Sequence, residues 1–288
     1  MTPDALPRSY LYVPANAPDK LAKSLQPGAD ALILDLEDAV LAREKTTARH
    51  AIVAWLRVQD EDLATQLWVR INSGSERVND LKALAGIPSV TGIVTAKVND
   101  PRDVNSIADA LTGLGDHSTL LMPMIETAKA VLNCADIAAQ PRVHQLQIGE
   151  VDLSAELGID ATGDEHELAA IRTMIVLASA AAEISPPVGP VSRITNDALA
   201  LKRSTERVRR LGFVGRACIH PAQLSAVHDI FTPTEEQVTQ AQLLCQAFEQ
   251  AQSRRQGVLL DDEGRLVDIA VLRTARRTLA LSRQVRRT

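Results

Sequence analysis

Aromatic side chains are scarce in this sequence: two Trp, two Tyr and three Phe among 288 residues. Stacking platforms for nucleic-acid bases need more than that. The formal net charge of −5 also removes the basic field that a phosphate backbone calls for. No nucleic-acid partner is expected. No apolar run approaches the roughly 20 residues that span a bilayer, so no membrane partner is expected either. The start, Met1-Thr2-Pro3-Asp4, lacks a basic segment followed by an apolar core, and no signal peptide is expected. Cys134, Cys218 and Cys245 are odd in number and far apart, without the spacing of a metal or redox pair; a reducing cytoplasm is the default location. The six histidines are scattered, with no metal-type pair among them. No Gly-x-Ser-x-Gly elbow marks a serine nucleophile.

What the chain has is apolar sequence, 45% of it, cut into short runs. Residues 9–13, 31–35, 67–71, 92–96, 120–126, 143–148, 187–190 and 217–219 read as strands. The run at 187–190, with Pro187 and Pro190, is the weakest of them. Helical patterns lie between. Pro18 opens a short helix to residue 25. Residues 44–57 place Ala48, Ile52 and Trp55 on one face, and residues 101–114 place Val104, Ile107, Ala108 and Leu111 at three-to-four spacing. Further helices are expected at 77–85, 128–139, 167–182 and from a cap at Asn196 or Asp197 to Arg210, stopping at Gly212. Residues 72–75 read as a loop. A helix is expected at 223–230, and after Thr232-Pro233 no further strand–helix unit appears: a helix at 235–254, a turn at 261–264 and a basic final helix follow.

Eight strands alternating with helices predict a (β/α)8 TIM barrel over residues 1–231, with a C-terminal helical extension over 232–288. This length suits one such barrel. A doubly wound sheet fits the alternation too, but the glycine-rich phosphate turn after its first strand is missing. In barrels the functional groups stand at the C-terminal strand ends. Glu37, Asp38, Arg70, Lys97, Glu126, Asp152 and His220 fall there. Glu126 and Asp152 suit Mg²⁺, which keeps waters and takes substrate oxygens rather than a full protein cage. The competing reading is that each is an acid opening a helix, where the dipole favours it. Arg70 offers a planar fork for a substrate carboxylate; a salt bridge to Glu37 or Asp38 competes with that and is compatible with it. Asp35, Glu37 and Asp38 cannot all be buried unpaired, so at least one of them is expected to meet Arg70 or Lys97, or to bond metal-bound water. His220 is expected to be a hydrogen-bonding group rather than a catalyst.

Six segments occur in order: Leu11-Tyr12-Val13-Pro14, Asp35-Leu36-Glu37-Asp38-Ala39-Val40, Val69-Arg70-Ile71-Asn72, Ile125-Glu126-Thr127, Gly149-Glu150-Val151-Asp152-Leu153 and Gly212-Phe213-Val214-Gly215-Arg216-Ala217-Cys218-Ile219-His220-Pro221. Together they resemble the citrate lyase β-subunit-like branch of the HpcH/HpaI aldolase family. The resemblance implies a (β/α)8 barrel, a homotrimer or hexamer, Mg²⁺, and an acyl-CoA thioester cleaved to acetyl-CoA and a 2-oxo acid. Citramalyl-, malyl- and citryl-CoA are the implied substrates. It implies Glu126 and Asp152 as metal ligands and Arg70 as the holder of the oxo acid. It places Pro14, Asn16 and Lys20 in a CoA-contacting loop and makes Asp268 an acid/base group on a lid that reaches a neighbouring subunit. Glu37 and Asp38 join the catalytic candidates, and Lys97 the substrate-binding ones. Ala15 stands where a glycine is common, and residues 191–195 depart from the usual run after strand seven. Other readings are a metal-dependent pyruvate aldolase, a malyl-CoA thioesterase, and a CoA-binding subunit without catalysis.

Overall fold

The computed structural model describes residues 6–161, 164–253 and 269–285. Its centre is a closed barrel of eight parallel strands in sequence order: β1 (Ser9–Pro14), β2 (Ala31–Asp35), β3 (Gln66–Ile71), β4 (Gly92–Thr95), β5 (Leu120–Ile125), β6 (Gln145–Ile148), β7 (Ser185–Gly189) and β8 (Gly215–Cys218). A parallel strand covered on both faces reads as a continuous apolar run, and β2, Ala-Leu-Ile-Leu-Asp, is buried at every position. The inward face carries Tyr10, Ile33, Trp68, Val94, Met122, Met124 and Val188, which pack as one core. Trp68 and Gly92 are register partners. A Cβ at Gly92 would collide with the indole, so the missing side chain on β4 makes room for the largest one on β3.

The expected strand seven is present but lies earlier than residues 187–190. Pro186 and Pro187 have no N–H for the ladder, and the β6–β7 register slips between Gln145 and Gln147. A side chain compensates, as Gln145 Nε2 donates to the Pro186 carbonyl at 2.5 Å. The helix expected over 128–139 is two helices, Ala128–Leu132 and Cys134–Ala138. They part at Asn133, whose Nδ2 donates to the Asn99 carbonyl at 3.0 Å. Gly74 and Ser75, expected in a loop, form the first turn of the helix Gly74–Leu84. Asp197 caps the helix Ala198–Arg210 by accepting from Ala200 N at 2.9 Å.

The described chain forms two compact units, one spanning Pro7–Asp229 and one containing Ile230 onward. In the second, the helices Glu235–Ser253 and Ile269–Val285 pack on each other; Ala241, Leu272 and Ala275 are buried. Asp268 and the turn at 261–264 lie outside the described residues. No helix among the described residues is long and apolar enough to cross a membrane.

Candidate active site

Strand register builds one half of the barrel mouth. Asp35 and Arg70 are partners across the last rung of β2 and β3, so their side chains emerge side by side. Arg70 Nε donates to Asp35 Oδ1 at 2.8 Å and Nη2 to Oδ2 at 2.5 Å. Arg70 Nη1 lies 3.1 Å from Glu37 Oε2 and 3.8 Å from Asp38 Oδ2. The guanidinium carbon stands 5.1 Å from the centre of the Tyr12 ring, within cation–π range. Asp35 also accepts from the backbone N–H groups of Glu37 and Ala39, at 2.9 and 3.3 Å. The fork is therefore locked; Nη1 faces Glu37 and Asp38, and Nη2, with one bond to Asp35, has a second N–H to give. Burial works against the Arg70 charge, but the Asp35 hydrogen bonds outweigh it and hold the guanidinium above its ordinary range. Glu37 is buried, and burial, against the pull of Arg70 and with Asp38 adding to the effect, pushes its carboxyl up to about 7.

The other half is made by Lys97, Glu126 and Asp152. Glu126 follows β5 directly and is 2% exposed. Its Oε1 accepts from the Lys97 backbone N–H at 2.6 Å. That N–H is aimed by an unusual backbone: Lys97 has φ 55°, a left-handed conformation costing roughly 1–2 kcal/mol in a residue with a Cβ. Gly149 abuts the acid, since a Cβ there would meet Glu126 Cβ at 2.6 Å. Asp152 does not end strand six, as the sequence suggested. It lies in the first turn of the helix Glu150–Leu157, with its side chain 42% exposed. The helix-opening reading therefore holds for this residue. Arg172 fixes that turn through Glu150, at 2.6 and 2.8 Å.

Both acids converge on one positive charge. Lys97 Nζ is hydrogen-bonded to Asp152 Oδ2 and lies 3.7 Å from Glu126 Oε1. Burial disfavours the ammonium, but Asp152 and Glu126 outweigh it, and the lysine titrates above its ordinary range. Burial raises Glu126, against the Lys97 N–H and charge. Two carboxylates already sharing a cation fit a divalent ion in its place. Among the described residues no set of three or more His, Cys, Asp or Glu side chains could hold a metal. An ion that keeps waters and takes substrate oxygens suits this pair, as Mg²⁺ does.

The two halves face one cavity of about 800 Å³, within the range of small-molecule and cofactor sites. Pro14, Lys20, Asp38, Arg70, Glu126 and Asp152 line it, with Asp35, Gln147 and His220. Glu37 and Lys97 are not among the lining residues; they stand behind them, Glu37 against Arg70 and Lys97 against Glu126 and Asp152. Asn16 is not among the lining residues; it is exposed and donates to Glu44 Oε2 at 2.9 Å. His220 Nδ1 accepts from Ala222 N at 3.1 Å, capping a short helical turn, as a hydrogen-bonding histidine should. Tyr12 and Gln147 escaped the reading of the sequence. The available signal was Gln145 and Gln147 two apart in an otherwise apolar strand, both therefore inward.

The HpcH/HpaI aldolase/citrate lyase family model matches residues 8–221. The chain belongs to that family. A (3S)-malyl-CoA thioesterase of Cereibacter sphaeroides is 34% identical over 275 residues, covering 95% of this chain and 93% of that protein. Citrate lyase subunit beta of Leuconostoc mesenteroides subsp. cremoris is 31% identical over 292 residues, covering 98% and 95%. Among solved structures, CitE of Mycobacterium tuberculosis in complex with magnesium, acetoacetate and coenzyme A superposes with a TM-score of 0.76 at 26% identity. It covers 97% of this chain and 99% of that one.

Proposed function

We propose that this member of the HpcH/HpaI family is a Mg²⁺-dependent carbon–carbon lyase. It cleaves a 3-hydroxyacyl-CoA (malyl-, citramalyl- or citryl-CoA) into acetyl-CoA and a 2-oxo acid. The supporting observation is the convergence of Glu126 and Asp152 on one cation, in the cavity that also presents the locked fork of Arg70. Glu126 and Asp152 would hold Mg²⁺, which would supply a Lewis acid for the oxygen that becomes the oxo group. Arg70 binds the substrate carboxylate through the N–H that Asp35 does not use on Nη2 and, held by Asp35, needs no reorganisation as charge shifts. Glu37, titrating near neutrality beside Arg70, is able to hold or release a proton at its carboxyl. Asp38 is exposed at the mouth and adds negative charge beside Glu37. Pro14 and Lys20 flank the entrance for CoA; Asn16 contacts CoA only after releasing Glu44. The region over 232–288 acts as a lid in a homotrimer or hexamer, with Asp268 taking the substrate hydroxyl proton in a neighbouring subunit. The enzyme works in the cytoplasm.

The identity with a (3S)-malyl-CoA thioesterase supports a second reading, in which water attacks the thioester. One assay separates the two. The chain is incubated with Mg²⁺ and malyl-, citramalyl- or citryl-CoA, and products are followed by mass spectrometry. Acetyl-CoA with a 2-oxo acid is expected. Free malate with CoA identifies the thioesterase, and no turnover of any of the three defeats both readings.

A further inference from the structure

The floor of the cavity holds polar groups that the chemistry above leaves idle. Gln145 and Gln147 both project into the barrel from β6. The amide of Gln145 is used at both ends, accepting from Tyr10 Oη at 2.8 Å and donating to Pro186 O at 2.5 Å. That of Gln147 is used at one. Its Nε2 donates to Tyr12 Oη at 3.0 Å, while its Oε1 has no hydrogen-bond partner among the described residues although the residue is only 1% exposed. A buried acceptor without a donor is costly. Tyr12, accepting that bond, keeps its own proton to give. Whichever way the amide is turned, the pair offers a ligand one donor and one acceptor.

Their place is beneath the reacting groups. Gln147 pairs with Met124 across β5 and β6, two residues before Glu126. Tyr12 lies face-on to the guanidinium of Arg70. Both residues line the cavity, alongside apolar Leu11, Met124 and Val191. One donor and one acceptor on an otherwise apolar floor match a neutral hydroxyl, which gives one hydrogen bond and takes another. A methyl or hydrogen there leaves Oε1 unpaired.

We propose that Tyr12 and Gln147 determine specificity by hydrogen-bonding a hydroxyl on the chain of the 2-oxo acid, so that a hydroxylated acid binds more tightly than glyoxylate, pyruvate or oxaloacetate, the acids that the three thioesters above release. This rests on the oxo-acid reading of the cavity given above. A site built to bond a hydroxyl discriminates strongly against the analogue without it.

The test is calorimetric titration of the full chain, with Mg²⁺, using pyruvate and 3-hydroxypyruvate, which differ by one hydroxyl. Wild type binds 3-hydroxypyruvate more tightly, on the order of tenfold or more. Tyr12→Phe and Gln147→Leu bring the ratio of the two affinities towards one. Equal affinities in wild type, a preference that survives both substitutions, or binding of neither acid overturns the proposal. Thermal melts report folding of each variant; if Gln147→Leu does not fold, Tyr12→Phe, which removes a single oxygen, decides alone. Failure of the lyase reading looks different: the hydroxyl preference remains while no acyl-CoA yields acetyl-CoA.

Discussion

The two halves of the barrel mouth use the same charges in opposite ways. At β2 and β3, one arginine is surrounded by acids, locked by strand register, and mostly buried. At β4 to β6, two acids share one lysine, which is 36% exposed. The first arrangement holds a fixed positive charge for an anion. The second holds negative charges around a cation that something else can replace. Binding a substrate carboxylate demands little movement, whereas binding a metal demands that a side chain step aside.

The largest effect should come from breaking the locked half. Arg70→Ala leaves Asp35 and Glu37 buried without their partner, and losing one member of such a pair costs about 3–5 kcal/mol. Urea unfolding should show this as a lower midpoint. Arg70→Lys, which keeps the charge but not the fork, should recover only part of it. In the exchangeable half, Glu126→Gln should cut turnover by at least about a hundredfold with a much smaller loss of stability. If turnover survives while the fold melts early, the two halves have been assigned the wrong way round.

Smaller changes sharpen the contrast. Gly149→Ala pushes on Glu126 and should cost about 1–3 kcal/mol, read by thermal unfolding, with weaker Mg²⁺ binding in titration. The pH dependence follows from Glu37. Its folded carboxyl titrates near 7, above the ordinary 4.5. The folded state therefore binds the extra proton between those values, and its stability falls as pH rises through that window. The slope from this one group is at most about 1.4 kcal/mol per pH unit. Glu37→Gln should flatten unfolding free energies measured between pH 5 and 7.5. Least of all, Lys97→Met should change the stability of the Mg²⁺-loaded protein by less than about 1 kcal/mol, because the ion then supplies the positive charge between the acids and the lysine is 36% exposed. The same change should tighten Mg²⁺ by removing the internal competitor; weaker binding would show that the lysine supports the ion instead.

The barrel was legible because its strands are buried on both faces, which leaves apolar runs that amphipathic helices do not imitate. The mouth was legible where a charge ends such a run, as at Asp35, Arg70 and Glu126. Legibility failed where a local event depends on a distant partner. Asn133 breaks a helix because Asn99 offers a carbonyl 34 residues away in sequence. Nothing in the sequence around Lys97 announces a left-handed backbone. Asn16 turns to Glu44 through a loop whose path no periodicity records. Tyr12 and Gln147 meet across the barrel from strands 135 residues apart, and only closure of the sheet brings them together.

The lysine between the two acids has one more consequence. A nest of carboxylates with no positive charge inside it repels itself, and many metal proteins stay unfolded until their ion arrives. Here the chain carries its own placeholder. Stripping the metal with a chelator should silence the protein without unravelling it, and returning the ion should restart it with no refolding delay.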